Sequence, residues 1–267
     1  VAKVVIYDSG VGGLSIYQAV VRVCPQHDYV FLSDNAAFPY GTKPEDALLA
    51  RVSLVVAAAI ERLSPDLLVV ACNTASTVAL PMLRANYSIP IVGVVPAIKP
   101  AALSSISKQI ALLATPATIE RAYTQALIDE FAADCMVVKI GSSELVELAE
   151  KKLRGEVIDN AALTKILTPV LNNKDIDTLV LACTHFPLLA TEIEAVFVAH
   201  DRAVKLVDSG PGIARRVADL APVYSGAKLG QRGCSTAMFT RSLNAPQLQT
   251  NLADLGFSNF AVLDIPG

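Results

Sequence analysis

At 267 residues the chain can form one large domain or two modest ones, and either buries enough core to fold without covalent staples. A hydrophobic share of 53% and a mean hydropathy of +0.48 raise the question of a membrane protein, but the longest apolar stretches, Leu54 to Ile60 and Leu67 to Cys72, are far too short to span a bilayer. A net charge of −3 and a pI near 5.6, with no Lys/Arg block and no aromatic-basic stripe, leave no footprint for nucleic acid and point to a small polar substrate.

The chain opens on Val1-Ala-Lys-Val-Val-Ile-Tyr-Asp8, which has none of the charged, apolar and cleavage regions of a secretory signal, so a cytoplasmic location is expected. Lys3–Tyr7 reads as the first strand, Gly13 to Val23 as a helix and Tyr29–Leu32 as the second strand. Thr42-Lys-Pro-Glu45 has capping-box spacing ahead of an apolar-periodic stretch reaching Leu63, which predicts a helix beginning there. Leu67–Ala71 and Ile91–Val94 are short apolar runs of strand length. The same rhythm continues through Ile110–Ala114, a helix from Thr118 to Phe131, then Met136–Ile140, Leu179–Ala182 and Val204–Val207. Such alternation is a βαβ pattern and predicts mostly parallel sheets.

The chain also resembles itself. Asp66-Leu-Leu-Val-Val-Ala-Cys72-Asn-Thr74 aligns with Asp177-Thr-Leu-Val-Leu-Ala-Cys183-Thr-His185, and more weakly Val4–Asp8 aligns with Ala111–Thr115. Two similar α/β units are the simplest account. The stretch Val94 to Pro100 reads as a crossover and Val207 to Pro211 as a return, giving a first domain of residues 1–95 plus 207–267 and a second of 96–206. The expected fold is α/β, with two pseudo-symmetric parallel-sheet domains facing across a central cleft. Ligands bind outside the carboxyl ends of strands in open parallel sheets, where Asp8, Asp34, Cys72, Thr115 and Cys183 all fall.

Five cysteines, at 24, 72, 135, 183 and 234, are an odd number without CxxC spacing, so neither a disulfide framework nor a metal site is expected. Facing units would put Cys72 and Cys183 on opposite walls of one cleft. Inverting an amino acid's α-carbon requires taking a weakly acidic proton from one face and returning one to the other. Two thiols, one starting as thiolate, can do this and exchange states each turnover. Each sulfur would approach the carbon to about 3–3.5 Å, so the pair would sit roughly 7 Å apart, against about 2 Å in a disulfide. The competing reading of either cysteine is a buried apolar thiol at a strand end. Recurrence in two copies, each followed by polar residues (Asn73-Thr74 and Thr184-His185), favours chemistry. Cys24, Cys135 and Cys234 lack that context and read as structural.

With these residues in view, the chain resembles the glutamate racemases of the aspartate/glutamate racemase superfamily. The matching segments are Tyr7 to Ser15, Ser33 to Lys43, Ala71 to Ser76, Gly93 to Pro100, Leu113 to Thr115 and Ala182 to Pro187, in family order. The resemblance implies cofactor-free interconversion of L- and D-glutamate, supply of D-glutamate to bacterial peptidoglycan, and a homodimer. It implies that Cys72 takes the proton from D-glutamate, assisted by Asp8, and that Cys183 takes it from L-glutamate, assisted by His185. Glu150 matches the family's supporting carboxylate, with Glu147 in competition and a solvated helix face as the alternative for both. Asp8 or Ser9 could instead simply cap a helix, and His185 could be a satisfied core histidine.

The substrate's carboxylates need donors, yet no Arg lies in these motifs. The glycine-lined turn Asp8 to Gly13, at a helix start, suits an anion. Ser9, Asn73, Thr74, Thr115, Thr118, Thr184 and His185 can add hydrogen bonds, and Pro39, Tyr40 and Gly41 resemble the family's substrate-contacting loop. The chain departs from the family pattern at Tyr7, where Phe is common, at Ala117, and in the stretch after Val223. Aspartate or a hydantoin is the rival substrate. A pyridoxal-phosphate enzyme with Lys99 as Schiff base is a further rival; it would need a phosphate cradle and a pyridine-nitrogen partner near that residue, which sits in a Pro-flanked crossover. A non-catalytic cytoplasmic binder of a ligand or partner is the rival from another class, and it has no use for a symmetric thiol pair.

Overall fold

A computed structural model describes residues 1–221 and 232–265; residues 222–231 and 266–267, including Val223 and part of the poorly matching stretch after it, lie outside the described residues. The chain divides into two compact units, Val1–Val94 with Gly210–Gly267, and Val95–Ser209.

The first unit begins with β1 (Lys3–Asp8), α1 (Leu14–Val23), β2 (Asp28–Ser33), α2 (Glu45–Leu63), β3 (Leu67–Val70), α3 (Asn73–Asn86) and β4 (Ile91–Gly93). The second unit runs through α4 (Ile98–Ser104), β5 (Gln109–Ala114), α5 (Pro116–Glu120), α6 (Ala122–Phe131), β6 (Met136–Gly141), α7 (Glu144–Leu153), α8 (Asn160–Asn172), β7 (Thr178–Leu181), α9 (Ala190–Ala199) and β8 (Lys205–Val207). The chain then returns to the first unit through α10 (Gly210–Leu220), β9 (Ser235–Phe239), α11 (Pro246–Asp254) and β10 (Asn259–Val262).

Each unit is built on a parallel sheet, as the βαβ rhythm predicts. The first has the order β10-β9-β2-β1-β3-β4 and the second β6-β5-β7-β8. In β1 every residue after Lys3 is buried, with Val4 opposite Tyr29 on one side and Leu67 on the other. A strand covered on both faces needs an unbroken apolar run rather than alternation, and this is why Leu67–Val70 and Thr178–Leu181 are wholly buried.

All eight strands expected from the sequence form. The helix starts differ. The capping box at Thr42 is not made: Lys43 and Pro44 are extended, α2 begins at Glu45, and Thr42 Oγ1 donates instead to the Pro39 carbonyl at 3.2 Å. Lys43 precedes a proline, and clash with the proline ring disfavours the helical conformation there. The helix expected from Thr118 to Phe131 is two helices, starting at Pro116 and broken at Arg121, whose ψ is 135°. Pro116 suits a first helical position because its missing N–H would be unpaired there anyway. At the break, Thr124 Oγ1 donates to the Thr118 carbonyl at 2.6 Å. Among the described residues no helix is long and apolar enough to cross a membrane.

Candidate active site

In the first unit the carboxyl ends of β9, β2, β1 and β3 lie side by side and present, in that order, Thr240, Asp34, Asp8 and Cys72. From adjacent strands, β1 continues to β2 on one side and β3 continues to β4 on the other, so Asp8 and Cys72 flank the switch point where open α/β sheets bind ligands. Cys72 is the N-cap of α3, and its carbonyl accepts the Ser76 N–H at 2.8 Å. A thiol at the start of a helix gains thiolate character from the aligned backbone dipoles. Asn73 and Thr74, largely buried, form the first turn of that helix.

Asp8 is buried, and its Oδ1 accepts from the Gly10 N–H at 2.7 Å and from Ser9 Oγ at 3.3 Å. Ser9 Oγ is also 3.7 Å from Cys72 Sγ, so a hydroxyl links carboxylate and thiol. Neither Asp8 nor Ser9 caps α1: the N-cap is Gly13, without a side-chain bond. The glycine turn expected to cradle a substrate anion thus spends its Gly10 donor on Asp8. Gly13 is needed for space, since a Cβ there would lie 2.8 Å from Asp8 Cβ and 3.1 Å from Ala71 Cβ.

In the Pro39–Gly41 turn the Tyr40 side chain points into the core of its unit. It is 1% exposed, and its hydroxyl donates to Asp34 Oδ2 at 2.5 Å and pairs with the Tyr7 hydroxyl. Pro39 is exposed, and the position a Gly41 Cβ would take is open, with nothing within 4 Å. Asp34 also accepts Arg51 Nε at 2.8 Å, Arg51 Nη2 at 2.6 Å and Thr240 Oγ1 at 2.6 Å. Burial alone would raise its pKa, but the bonds from Arg51, Thr240 and Tyr40 outweigh that and hold it below the usual carboxylate value. Tyr7 and Tyr40 are pushed up, chiefly by burial, and stay protonated.

In the second unit β5 and β7 are neighbours, and their carboxyl ends present Thr115 and Cys183, the positions that Asp8 and Cys72 hold in the first. Cys183 is partly exposed, and its Sγ lies 3.8 Å from His185 Nδ1. His185 Nε2 lies 3.0 Å from Glu150 Oε1, and Arg154 donates to Glu150 Oε2 at 3.3 Å. Glu150 is therefore the carboxylate that meets His185; it is buried, while Glu147 is exposed. Burial opposes charge on His185, but its bonds to Cys183 and Glu150 override this and raise the pKa well above the ordinary value. Thr184 is buried beside Cys183 in sequence, and the Thr115 and Thr118 hydroxyls are 2.9 Å apart, each other's partner across the start of α5.

Among the described residues no group of three or more His, Cys, Asp or Glu could hold a metal ion. Lys99 lies on α4 with its ammonium 5.0 Å from the Phe131 ring centroid. Arg51 and Thr240, which gather around Asp34, and Arg154, which contacts Glu150, belong to no motif in the sequence. Arg51 gave no signal because it sits mid-helix outside every motif, and Thr240 is distant in sequence from the carboxylate it binds.

Residues 10–217 match the family model described as Asp/Glu/Hydantoin racemase. A curated glutamate racemase of Shewanella halifaxensis is 49% identical over 97% of this chain and 96% of its own length. One of Vibrio campbellii is 48% identical over 99% and 97%. The crystal structure of Escherichia coli glutamate racemase in complex with L-glutamate and activator UDP-MurNAc-ala matches with a TM-score of 0.90 and 45% identity, covering 100% of this chain and 99% of that one.

Proposed function

This chain belongs to the Asp/Glu/hydantoin racemase family, and on that premise we propose that it interconverts L- and D-glutamate by proton transfer at Cα between Cys72 and Cys183, without a cofactor. The observation that carries the two-thiol reading is repeated placement. Each cysteine follows the strand just past the switch point of its own sheet, and each has a different proton partner within reach.

With D-glutamate bound, the Cys72 thiolate takes the Cα proton and the Cys183 thiol returns one to the other face. The turnover leaves Cys72 as thiol and Cys183 as thiolate; L-glutamate resets the pair. Ser9 serves both states of Cys72. Its O–H can donate to the thiolate, or turn to Asp8 while its oxygen accepts the S–H. On the other side His185 lies between Cys183 and Glu150, placed to donate to the Cys183 sulfur while Glu150 orients its ring. Backbone donors of the Pro39–Gly41 turn, with Asn73, Thr74, Thr115, Thr118 and Thr184, hold the substrate's carboxylates and ammonium. The product is the D-glutamate used in peptidoglycan assembly. A cytoplasmic location and a homodimer accompany the reading on family resemblance, and light scattering tests the second.

Incubation with either glutamate enantiomer in deuterated water is expected to place deuterium at Cα, with activity lost in Cys72→Ala and in Cys183→Ala. Full activity in either variant rejects the two-base scheme, and turnover of aspartate alone overturns the substrate assignment.

A further inference from the structure

We propose that Asp34, Tyr40 and Thr240, locked by Arg51, are positioning residues that hold the backbone of the Pro39–Gly41 turn ready for substrate; this rests on the glutamate reading of the site. Asp34 is fully buried at the end of β2, where a carboxylate is costly unless its oxygens are satisfied. Its donors come from three separate places: Tyr40 in the turn itself, Arg51 on α2 and Thr240 just past β9. The sheet does not need this carboxylate, because β2 is already paired through its backbone to β1 and β9.

The connections all lead to the turn. The Ala36 N–H donates to Thr240 Oγ1 at 3.1 Å, the Arg241 N–H to Asn35 Oδ1 at 2.9 Å, and Asn35 Nδ2 to the Arg241 carbonyl at 2.9 Å. Residues 34–36 are thus fastened to 240–241. From the other end, the Tyr40 hydroxyl meets Tyr7, whose next residue is Asp8, and Tyr7, Tyr40 and Cys72 share one packed cluster. The Asp34 N–H also donates to the Asp8 carbonyl at 2.9 Å. The turn faces inward through the Tyr40 ring and outward through open backbone at Gly41. Anchoring the ring fixes the backbone, and a contact that holds the substrate equally in the ground and transition states appears in KM rather than in kcat.

The test uses Tyr40→Phe and Thr240→Val, which remove one hydroxyl each, with Thr240→Ser as the conservative rescue and Asp34→Asn as the severe case. Hydrogen exchange is measured across the whole chain, with kcat, KM and Tm. Faster exchange confined to residues 34–42 is expected in the first two variants, with KM for both enantiomers raised about tenfold, kcat within about twofold, and both restored in Thr240→Ser. Exchange at 34–42 unchanged from wild type overturns the proposal, as does a lowered Tm with wild-type KM, which would make the cluster a structural support only. Absence of glutamate turnover in wild type would instead reject the substrate reading, and the exchange data would still decide whether the turn is held by this cluster.

Discussion

His185 and Asp34 are both buried groups kept charged by their partners, and they respond to pH in opposite senses. The His185 pKa is raised above its unfolded value of about 6.5, so the stability it contributes is complete below that pH and is lost as pH rises through the folded value. Glu150→Gln removes one of the groups that raise it. This variant is expected to show less loss of Tm on going alkaline than wild type, and a displaced limb in the pH profile of turnover from L-glutamate. Asp34 is depressed, so its contribution is complete above about 3.9 and is lost as pH falls through the folded value, where Arg51, Tyr40 and Tyr7 face it. Asp34→Asn should flatten that acid limb and cost about 2–3 kcal/mol at neutral pH, measured by denaturant unfolding. Gly41→Ala separates contact from packing: the open space at that position predicts an unchanged Tm and a raised KM. The two cysteines were legible because each ends a repeated motif. The Asp34 set was not, since hydrogen bonding between residues 34 and 240 leaves no local pattern.

At the level of elements, α1 must pass close over the ends of β1 and β3, and only Gly13 permits it. Gly13→Ala is expected to push α1 away from Asp8 and Ala71, cost about 1–3 kcal/mol in Tm-derived stability, and lower kcat/KM through the displaced carboxylate. The interior strands β1, β2, β3, β5 and β7 could be read from composition because strands covered on both faces carry unbroken apolar runs, whereas the edge strands β4, β6 and β8 were legible from short runs rich in Val, Ile and Leu. β9 alternates buried and half-buried residues with Ser and Thr at its start, and β10 lies at the sheet edge largely exposed, so neither carries that signal. The start of α2 and the break at Arg121 were misread for a local reason. Capping spacing and apolar periodicity do not register a proline's veto on the residue before it, nor a side chain such as Thr124 taking a carbonyl out of the helix.

At the level of the whole molecule, one unit is continuous in sequence and the other is assembled from both ends of the chain. Residues 95–209 expressed alone are expected to unfold cooperatively, as checked by thermal and chemical denaturation with coincident probes. Removing residues 232–267 should have a different outcome: it uncovers the β2 edge that β9 pairs and takes Thr240 from Asp34, so aggregation and loss of activity are expected. The same connectivity sets an order in time. A ribosome releases Asp8, Cys72 and Cys183 long before Thr240, yet the cluster that holds the Pro39–Gly41 turn is completed only by that late residue. Chains cut short by a premature stop or a protease therefore carry both thiols without a finished site, and the nascent protein is silent until its last strands dock.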